Sequence, residues 1–234
     1  MRHTSRVKTV AIIQSNYVPW KGYFDIIHDA DLFIFHDCVQ FTKQDWRTRN
    51  KIKMRDGAHW LSVPVKGSKD ARICDVTLAA DDWGAKHLRT LHHSLGKTPH
   101  WRALEPFLAE IYGRTWASLS ELNQTVIGRI ARDWLGIETE LVDSRPYAAV
   151  GAKTDRVLDL LVKAGATRYI SGPAARDYLD QARFVEAGIE LVYKDYAGYP
   201  EYPQPHPPFD HFVTILDLLA CVGRDAPKYI WGWR

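Results

Sequence analysis

The residues best suited to chemistry begin with a polar, aromatic stretch close to the N-terminus. Residues Gln14–Gly22, QSNYVPWKG, follow a short apolar run, Val10–Ile13, that predicts a fully buried strand. Helical spacing resumes at Tyr23, so the stretch predicts a loop that opens a helix. In open parallel α/β sheets, ligands bind beyond the carboxyl ends of the strands, which is where such a loop lies. The stretch therefore predicts one wall of a ligand site.

The N-terminus of that first helix is a candidate anion site, because its free N–H groups and its dipole favour a phosphate. Gly22 allows close approach to the backbone, and the side chains of three loop residues offer hydrogen-bond donors. The loop candidates are Gln14, Asn16, Tyr17, Trp20, Gly22 and Tyr23. The stretch contains neither GxGxxG nor GxxxxGK[ST], so it is neither a dinucleotide fingerprint nor a P-loop. The alternative is an ordinary strand–helix connection whose aromatic rings only pack the core.

A second candidate segment follows the predicted strand Asp31–Phe35, beginning at Asp37, which we expect at the same sheet edge. Arginines suit bidentate recognition of phosphate or carboxylate, and a carboxylate beside an amine can act as its base. The candidates here are Asp37, Phe41, Trp46, Arg47, Arg49 and Asn50. The alternative is a solvated basic loop whose arginines and tryptophan only pack together.

Two further segments contribute candidates nearer the C-terminus. In SGPAARDYL, at 171–179, a Gly-Pro turn between a predicted strand and a helix favours an anion nest formed by Ser171, Gly172 and Arg176. A tight turn that caps a helix explains the same residues equally well. The proline-rich segment Tyr196–Phe209 predicts an extended, stiff loop whose Gln204 and His206 could close over a site and exclude water. The cysteine and histidine spacings predict no metal site.

Alternating strands and helices are predicted to position these segments. Three helices each end at a glycine, Gly136, Gly165 or Gly188, and a short apolar strand follows each of them. This series is typical of an α/β fold with a mostly parallel sheet flanked by helices. Helical spacing without strands in the middle of the chain predicts a helical insertion. We therefore expect one α/β domain over residues 1–234, with a helical subdomain at about 80–135.

Composition narrows the class of protein. The 234 residues carry a net charge of +3, which permits a phosphorylated ligand but does not indicate a nucleic-acid surface. No apolar run is long enough for a transmembrane helix, and the polar N-terminus does not resemble a signal segment. Three cysteines without CxxC spacing indicate free thiols in a reducing compartment. We expect a cytosolic protein that binds neither nucleic acid nor a membrane; its oligomeric state is not predicted.

Four motifs together resemble the WbqC-like protein family, and the resemblance spans about residues 9 to 223. They are QSNYVPWKGYFD at 14–25, the Asp37…Phe41…Trp46…Arg49-Asn50-Lys51 run, SGPAARDYL at 171–179 and YPQPHPPFDHFVTILDLL at 202–219. Genes of this family typically lie in clusters for O-antigen and other surface polysaccharides, among enzymes of nucleotide-linked amino sugars. The resemblance thus implies a pathway more firmly than a reaction.

A weaker similarity links the first strand–loop–helix unit and the later SGPAAR stretch to pantothenate synthetase-like and nucleotidylyltransferase folds, which implies a Rossmann-like sheet. Those enzymes use an HxGH motif on ATP phosphates at the first helix. This chain has Pro19-Trp-Lys-Gly-Tyr23 there and lacks the histidine pair, which argues against nucleotidyl transfer.

These observations lead to three functional hypotheses. In the first, a transferase adds an acyl or aminoacyl group to the amine of a nucleotide-linked sugar. Asp37 would orient or deprotonate the amine, with Tyr17 as the other catalytic candidate. Arg47, Arg49 and the N-terminus of the first helix would hold phosphate, and Tyr17, Trp20 or Trp46 would stack on sugar or base. The second is an ATP-dependent adenylating ligase or nucleotidylyltransferase, which would require ATP with Mg²⁺. The third is a non-enzymatic module that scaffolds other enzymes of the pathway.

Overall fold

Apolar residues on both faces of short strands organise the fold in the computed structural model, which describes residues 7–67, 70–79 and 82–234. The strands are β1 (Thr9–Ile13), β2 (Leu32–Phe35), β3 (Arg49–Met54), β4 (Gly57–Ser62), β5 (Val65–Lys66), β6 (Thr77–Leu78), β7 (Glu140–Asp143), β8 (Arg168–Ser171) and β9 (Glu190–Tyr193). The α-helices are α1 (Lys21–His28), α2 (Trp83–Leu95), α3 (Trp101–Gly113), α4 (Leu119–Arg129), α5 (Thr154–Lys163), α6 (Gln181–Glu186) and α7 (Ile215–Val222).

Five of these strands form one parallel sheet in the order β7-β2-β1-β8-β9. Successive residues of each strand face opposite sides, and both sides are covered. Val10, Ile12 and Ile34 pack with the leucines of α5 and with Phe184 of α6. Ala11 and Phe33 belong to the other apolar cluster, to which α1, α3, α4 and α7 contribute. The α/β prediction with a Rossmann-like parallel sheet is therefore confirmed.

The strand order reverses at β1. The chain runs from β1 to β2 on one side and later adds β7 beyond β2, whereas β8 and β9 lie on the other side of β1. The carboxyl ends of β1 and β8 therefore flank the topological switch point, where open α/β sheets bind ligands.

A two-stranded hairpin was missed by the sequence analysis, which treated the basic residues 42–53 as a loop. β3 pairs antiparallel with β4, with Asn50 opposite Leu61. Gly57, with φ of 127°, makes the turn in a conformation that disfavours other residues. The strand predicted at 60–65 lies partly in β4 and partly in β5. Tertiary pairing overrides the polar composition of β3, as is common for strands.

The helices predicted in the middle of the chain are present as α2, α3 and α4. Ser118 caps α4, since its hydroxyl accepts a hydrogen bond from the Glu121 amide at 3.1 Å. The turn that follows β8 is longer than a simple Gly-Pro turn, because Pro173–Asp177 forms a 3₁₀ helix and α6 begins only at Gln181. The division into one domain with a helical subdomain at about 80–135 stays a prediction.

The three cysteines are free thiols, as their spacing predicted. Within the described ranges, no helix combines the length and the apolar character needed to cross a membrane.

Candidate functional site

A cavity of about 940 Å³ opens at the carboxyl ends of β1 and β8, at the topological switch point. We call it the switch-point cavity. Its walls come from the loop after β1, the residues that follow β2, the start of α5 and the turn after β8. Six sequence-predicted residues meet there: Gln14, Asn16, Trp20, Tyr23, Ser171 and Gly172. The first and third predicted segments therefore contribute residues to the wall of one cavity.

Hydrogen bonds fix the shape of the loop after β1. The Tyr23 hydroxyl donates to the Gln14 carbonyl at 3.0 Å, which ties α1 back to the end of β1. The side chains of Gln14 and Asn16 line the cavity, so amide donors and acceptors are available to a ligand. Ser171, at the end of β8, supplies a hydroxyl on the opposite wall.

Aromatic rings form one side of the cavity. The Trp20 indole meets the Tyr196 ring edge-on, with 4.9 Å between centroids, and both rings line the cavity. A Cβ atom at Gly22 would lie 2.3 Å from the Trp20 ring, so only glycine lets the indole lie over the start of α1. The indole thus covers the helix N-terminus, which corrects the prediction that Gly22 and this N-terminus form an open phosphate site.

Lys21, the first residue of α1, is also withdrawn from the site. Its ammonium lies 4.8 Å from the centre of the Tyr199 ring and donates to the Pro200 carbonyl at 3.3 Å. Burial lowers the pKa of Lys21 to about 8. The proline-rich segment therefore packs around this lysine, and no phosphate contact is open to it.

Cationic side chains enter the cavity from the start of α5. The Arg156 guanidinium donates to the carbonyl of Gly151 at 2.9 Å and to that of Cys38 at 3.3 Å. Lys153 lines the same wall, with φ of 51°. No carboxylate is among the lining residues that the structure describes. The cavity therefore favours an anionic ligand.

His36, the residue after β2, is a titratable group in the wall of the cavity. Its side chain is buried, and its Nδ1 atom has no hydrogen-bond partner in the protein. Burial, reinforced by the charge of Arg156, lowers the pKa of His36 to about 4. The imidazole is therefore neutral near pH 7 and can accept a hydrogen bond or a proton.

A smaller cavity of about 470 Å³ adjoins the first, and we call it the arginine cavity. The two cavities share His36, Cys38 and Arg156. The remaining lining residues of the arginine cavity are Arg72, Ser144, Arg145, Ala148 and Ala149. The connection from β7 to α5 thus brings cations to the same sheet edge as the first loop.

Asp37, the predicted base, does not line the cavity. Its carboxylate is fully buried and accepts hydrogen bonds from the Ser15 amide at 2.8 Å, the Gln124 side chain at 2.9 Å and the Ser120 hydroxyl. Gln124 also donates to Asp143 at 2.9 Å, so it links Asp37, which follows β2, to the last residue of β7. These contacts make Asp37 an anchor between the sheet edge and α4. The prediction that it contacts a ligand's amine does not fit this geometry.

Tyr17, the second predicted catalytic residue, is also enclosed. Its hydroxyl lies 2.7 Å from both His87 Nδ1 and the Tyr112 hydroxyl, and the side chain is fully buried. Burial, with the nearby Tyr112, raises the pKa of Tyr17 well above its usual value. Asn50 donates to the Tyr17 carbonyl at 3.1 Å and holds the loop from behind. Neither side chain is placed to contact a ligand in the switch-point cavity.

The hairpin region holds the other predicted residues of the second segment. Phe41 and Arg49 line a separate cavity of about 280 Å³, which shares no lining residue with the switch-point cavity. Arg47 pairs with Asp45, and the Arg49 guanidinium lies 4.2 Å from the centre of the Trp60 ring. Trp46, 45% exposed, packs beside the same ring. The predicted second wall is thus not part of the switch-point cavity.

The last predicted residues lie outside the cavity as well. The Arg176 guanidinium is exposed and stacks over the Tyr193 ring at 4.8 Å. The Gln204 amide donates to Asp217 at 2.9 Å and to the Asp210 carbonyl at 3.0 Å, so it fixes the proline-rich segment. His206 is half-buried in that segment, with φ of 63°. The predicted lid residues do not line the switch-point cavity.

Ion pairs gather at the C-terminal half of α1. Asp25 and Asp29 bracket the Lys194 ammonium at 3.0 and 2.5 Å, and Arg234 pairs with both carboxylates. The side chains of Asp25, His28 and Asp29 lie close enough together to resemble a set of metal ligands. Burial raises the pKa of Asp29, but hydrogen bonds from His28 and Lys194 and the charges of Lys194 and Arg234 outweigh it, so the pKa lies well below its usual value. Lys194 and Arg234 thus neutralise the carboxylates.

The sequence analysis missed His36, Lys153, Arg156 and Tyr178 as cavity residues. For Lys153 and Arg156, the order of the predicted strands contained a signal. In a parallel sheet every strand ends at the same edge, so the connection after the strand predicted at Ile137–Val142 also reaches the ligand edge. The sequence did not show that this strand lies beside β2.

Comparison with known proteins gives a consistent result. The model of the WbqC-like protein family matches residues 14–229. The uncharacterized protein Rv1507c of Mycobacterium tuberculosis is 42% identical over 227 residues, covering 96% of this chain and 98% of that protein. No solved structure matches the chain.

Proposed function

The chain belongs to the WbqC-like protein family, and we propose that it is a transferase of surface-polysaccharide synthesis acting on a nucleotide-linked amino sugar. The reaction would add an acyl or aminoacyl group to the sugar amine. The observation that carries the proposal is the switch-point cavity, whose described lining combines two cations, amide side chains and aromatic rings without a carboxylate.

Size and position support a nucleotide-linked ligand. A volume of about 940 Å³ lies near the upper end of the ordinary range for small-molecule sites, about 300 to 1,000 Å³. Doubly wound sheets bind nucleotides at the switch point, where this cavity opens. Tyr178 is 62% exposed at the rim, and its ring can stack on a sugar or a base.

The charge of the lining supports a phosphorylated ligand. The hydrogen bonds of Arg156 in the described part of the chain go to backbone carbonyls, so no carboxylate occupies its donors. The remaining N–H groups of its guanidinium are suited to a phosphate, because the planar fork matches the phosphate oxygens. Gln14 and Asn16 face the same space and are suited to sugar hydroxyls.

Proton transfer would fall to His36 in this proposal. In acyl transfer the sugar amine attacks the carbonyl carbon of the donor and forms a C–N bond. The bond from that carbon to the donor's leaving group then breaks, the leaving group departs with the electron pair, and the nitrogen loses a proton. The neutral imidazole of His36 is the base at the cavity wall, in place of the enclosed Asp37. A bound phosphate nearby would raise the pKa of His36 and make it a stronger base.

ATP-dependent adenylation is the second candidate reaction and has less support. Mg²⁺ in nucleotide sites is usually held by one or two protein carboxylates as well as by phosphates. The described lining of the switch-point cavity offers no carboxylate for that purpose. A purely scaffolding module has no need for a cavity of this composition.

Calorimetric titration with UDP-glucosamine, dTDP-linked 4-amino sugars and the free nucleotides tests the proposal. We expect saturable binding of at least one nucleotide-linked amino sugar, without a requirement for Mg²⁺. Arg156→Gln should weaken that binding about 10- to 100-fold, because a charge-assisted hydrogen bond contributes about 1.5–3 kcal/mol.

Arg176→Gln is the matched control, since it removes the same charge from an exposed side chain that packs on Tyr193 outside the cavity. Its affinity should stay within about twofold of the parent protein. Equal losses in the two variants, or binding of none of the nucleotide-linked sugars, would refute the proposal.

A further inference from the structure

The arginine cavity is not used by the reaction as proposed, and its composition is unusual. Three of its eight lining residues are arginines, Arg72, Arg145 and Arg156, and none is acidic. Because it shares His36, Cys38 and Arg156 with the switch-point cavity, a ligand in one space lies directly beside a ligand in the other.

Two buried polar atoms of residues in this wall have no hydrogen-bond partner among the described residues. Ser144 is 3% exposed and His36 8%, yet Ser144 Oγ and His36 Nδ1 make no hydrogen bond there. Buried polar groups normally find partners, because leaving one unpaired costs about 1–3 kcal/mol. Both residues line the arginine cavity, so the two groups lie beside the space that a ligand would occupy.

The three arginines are held differently. Arg72 bonds to Asp75 at 2.7 and 3.1 Å, and Arg145 bonds to Asp143 at 2.9 Å, so their charges are largely balanced. Arg156 bonds only to carbonyl oxygens. The wall therefore carries one guanidinium with no carboxylate on its hydrogen-bond donors, beside two unpaired polar atoms, and this combination suits an oxyanion.

We propose that the arginine cavity binds an oxyanion, the phosphate or carboxylate of the group donor, beside the amino sugar in the switch-point cavity. This inference rests on the proposed transferase function. The Ser144 hydroxyl would donate to the oxyanion, Arg156, which lines both cavities, would lie between this oxyanion and the phosphate of the sugar nucleotide, and Arg145 would add charge at the rim. The arrangement places the donor next to His36, the base assigned to the reaction.

Inorganic phosphate and acetate are the probes, and the imidazole resonances of His36 in NMR spectra of the full chain are the readout. We expect saturable shifts and a raised pKa of His36 as the anion binds, because a nearby negative charge favours the imidazolium. Tighter binding of phosphate than of acetate would identify a phosphorylated donor, and the reverse a carboxylate donor.

Ser144→Ala is the decisive variant. The hydroxyl has no hydrogen-bond partner among the described residues, so its removal should not lower the free energy of unfolding, while phosphate affinity falls about tenfold. Arg168→Gln is the control, because Arg168 pairs with Glu190 at the amino end of β8 and lines neither cavity. Phosphate affinity should be the same in this control and in the parent protein.

Three outcomes would overturn the inference: no saturable shift of His36, equal phosphate affinity in Ser144→Ala and the parent, or competition between phosphate and a nucleotide-linked amino sugar. Competition would mean that the arginine cavity holds the nucleotide's own phosphates, and the proposed function would stand without a separate donor site. Failure of the sugars to bind, with phosphate binding intact, would instead refute the proposed function.

Discussion

Two groups of cations near the ends of the parallel strands differ in what they contact. In the first, Lys194 and Arg234 pair with the carboxylates of Asp25 and Asp29. In the second, the hydrogen bonds that Arg156 makes with the described residues go to backbone carbonyls. The first group is complete within the protein and its interactions stabilise the fold. The second leaves charge and hydrogen-bonding capacity for a ligand, which is why it marks the candidate site.

The paired group should show the largest effect on stability. Lys194→Met removes a buried ammonium and leaves Asp25, which is 1% exposed, with only Arg234 as a cationic partner. Breaking a buried ion pair strands a charge, so we expect the free energy of unfolding to fall by about 3 kcal/mol. Urea denaturation followed by circular dichroism measures the change.

Lys163→Met is the matched control, because its pair with Asp159 at 2.7 Å lies at the surface. The loss there should be below about 1 kcal/mol. Similar losses in the two variants would show that the buried ion pairs of Lys194 stabilise the protein no more than a surface pair does.

His36, which lines the same cavity as Arg156, should make the stability of the protein depend on pH. The pKa of His36 is about 4 in the folded protein and 6.5 in the unfolded chain, so between these values the unfolded chain binds more protons. The contribution of His36 to stability is therefore complete above pH 6.5 and is lost as the pH falls toward 4. From pH 6.5 to pH 5 we expect the free energy of unfolding to fall by about 2 kcal/mol for this reason.

His36→Gln isolates this contribution, because other groups such as His211 also titrate at acidic pH. Urea denaturation of the parent and the variant at several pH values gives the two slopes. The parent should lose stability more steeply than His36→Gln, and parallel slopes would mean that the imidazole is not held in its neutral form.

The sequence was sufficient for the fold class because the two strands at the start of the chain, β1 and β2, are short apolar runs buried on both faces. Val10–Ile13 and the residues of β2 follow this pattern, and the glycines that end helices marked the later strands. It was insufficient for β3, whose residues are mostly charged or polar. There the pairing with β4 decides the conformation, and that partner cannot be read from local composition.

The sequence analysis placed its candidates at the sheet edge where the switch-point cavity opens, but only some of them line that cavity. The end of β2 was identified, and Asp37 was chosen there because a carboxylate is a familiar base. The structure turns Asp37 inward to Ser15 and Gln124, whereas its neighbour His36 lines the cavity. A sequence gives the position of a strand end more readily than the side to which each following residue points. The sequence did not single out Arg156, because its neighbouring residues do not distinguish it from other arginines in helices.

The smallest expected effect concerns the hairpin arginines, which the sequence assigned to the ligand and the structure places elsewhere. Arg47 pairs with Asp45 and Arg49 lies on the Trp60 ring, so both resemble the paired group more than Arg156. Arg47→Gln and Arg49→Gln should change the affinity for a nucleotide-linked amino sugar by less than about twofold in the same calorimetric titration. Arg49 lines the small hairpin cavity, so a loss as large as that of Arg156→Gln would make this cavity part of the binding site. A cation that contacts a carboxylate or an aromatic ring could then still bind ligand, so such contacts would not identify structural cations. The sequence-based prediction that Arg49 binds the ligand would then hold.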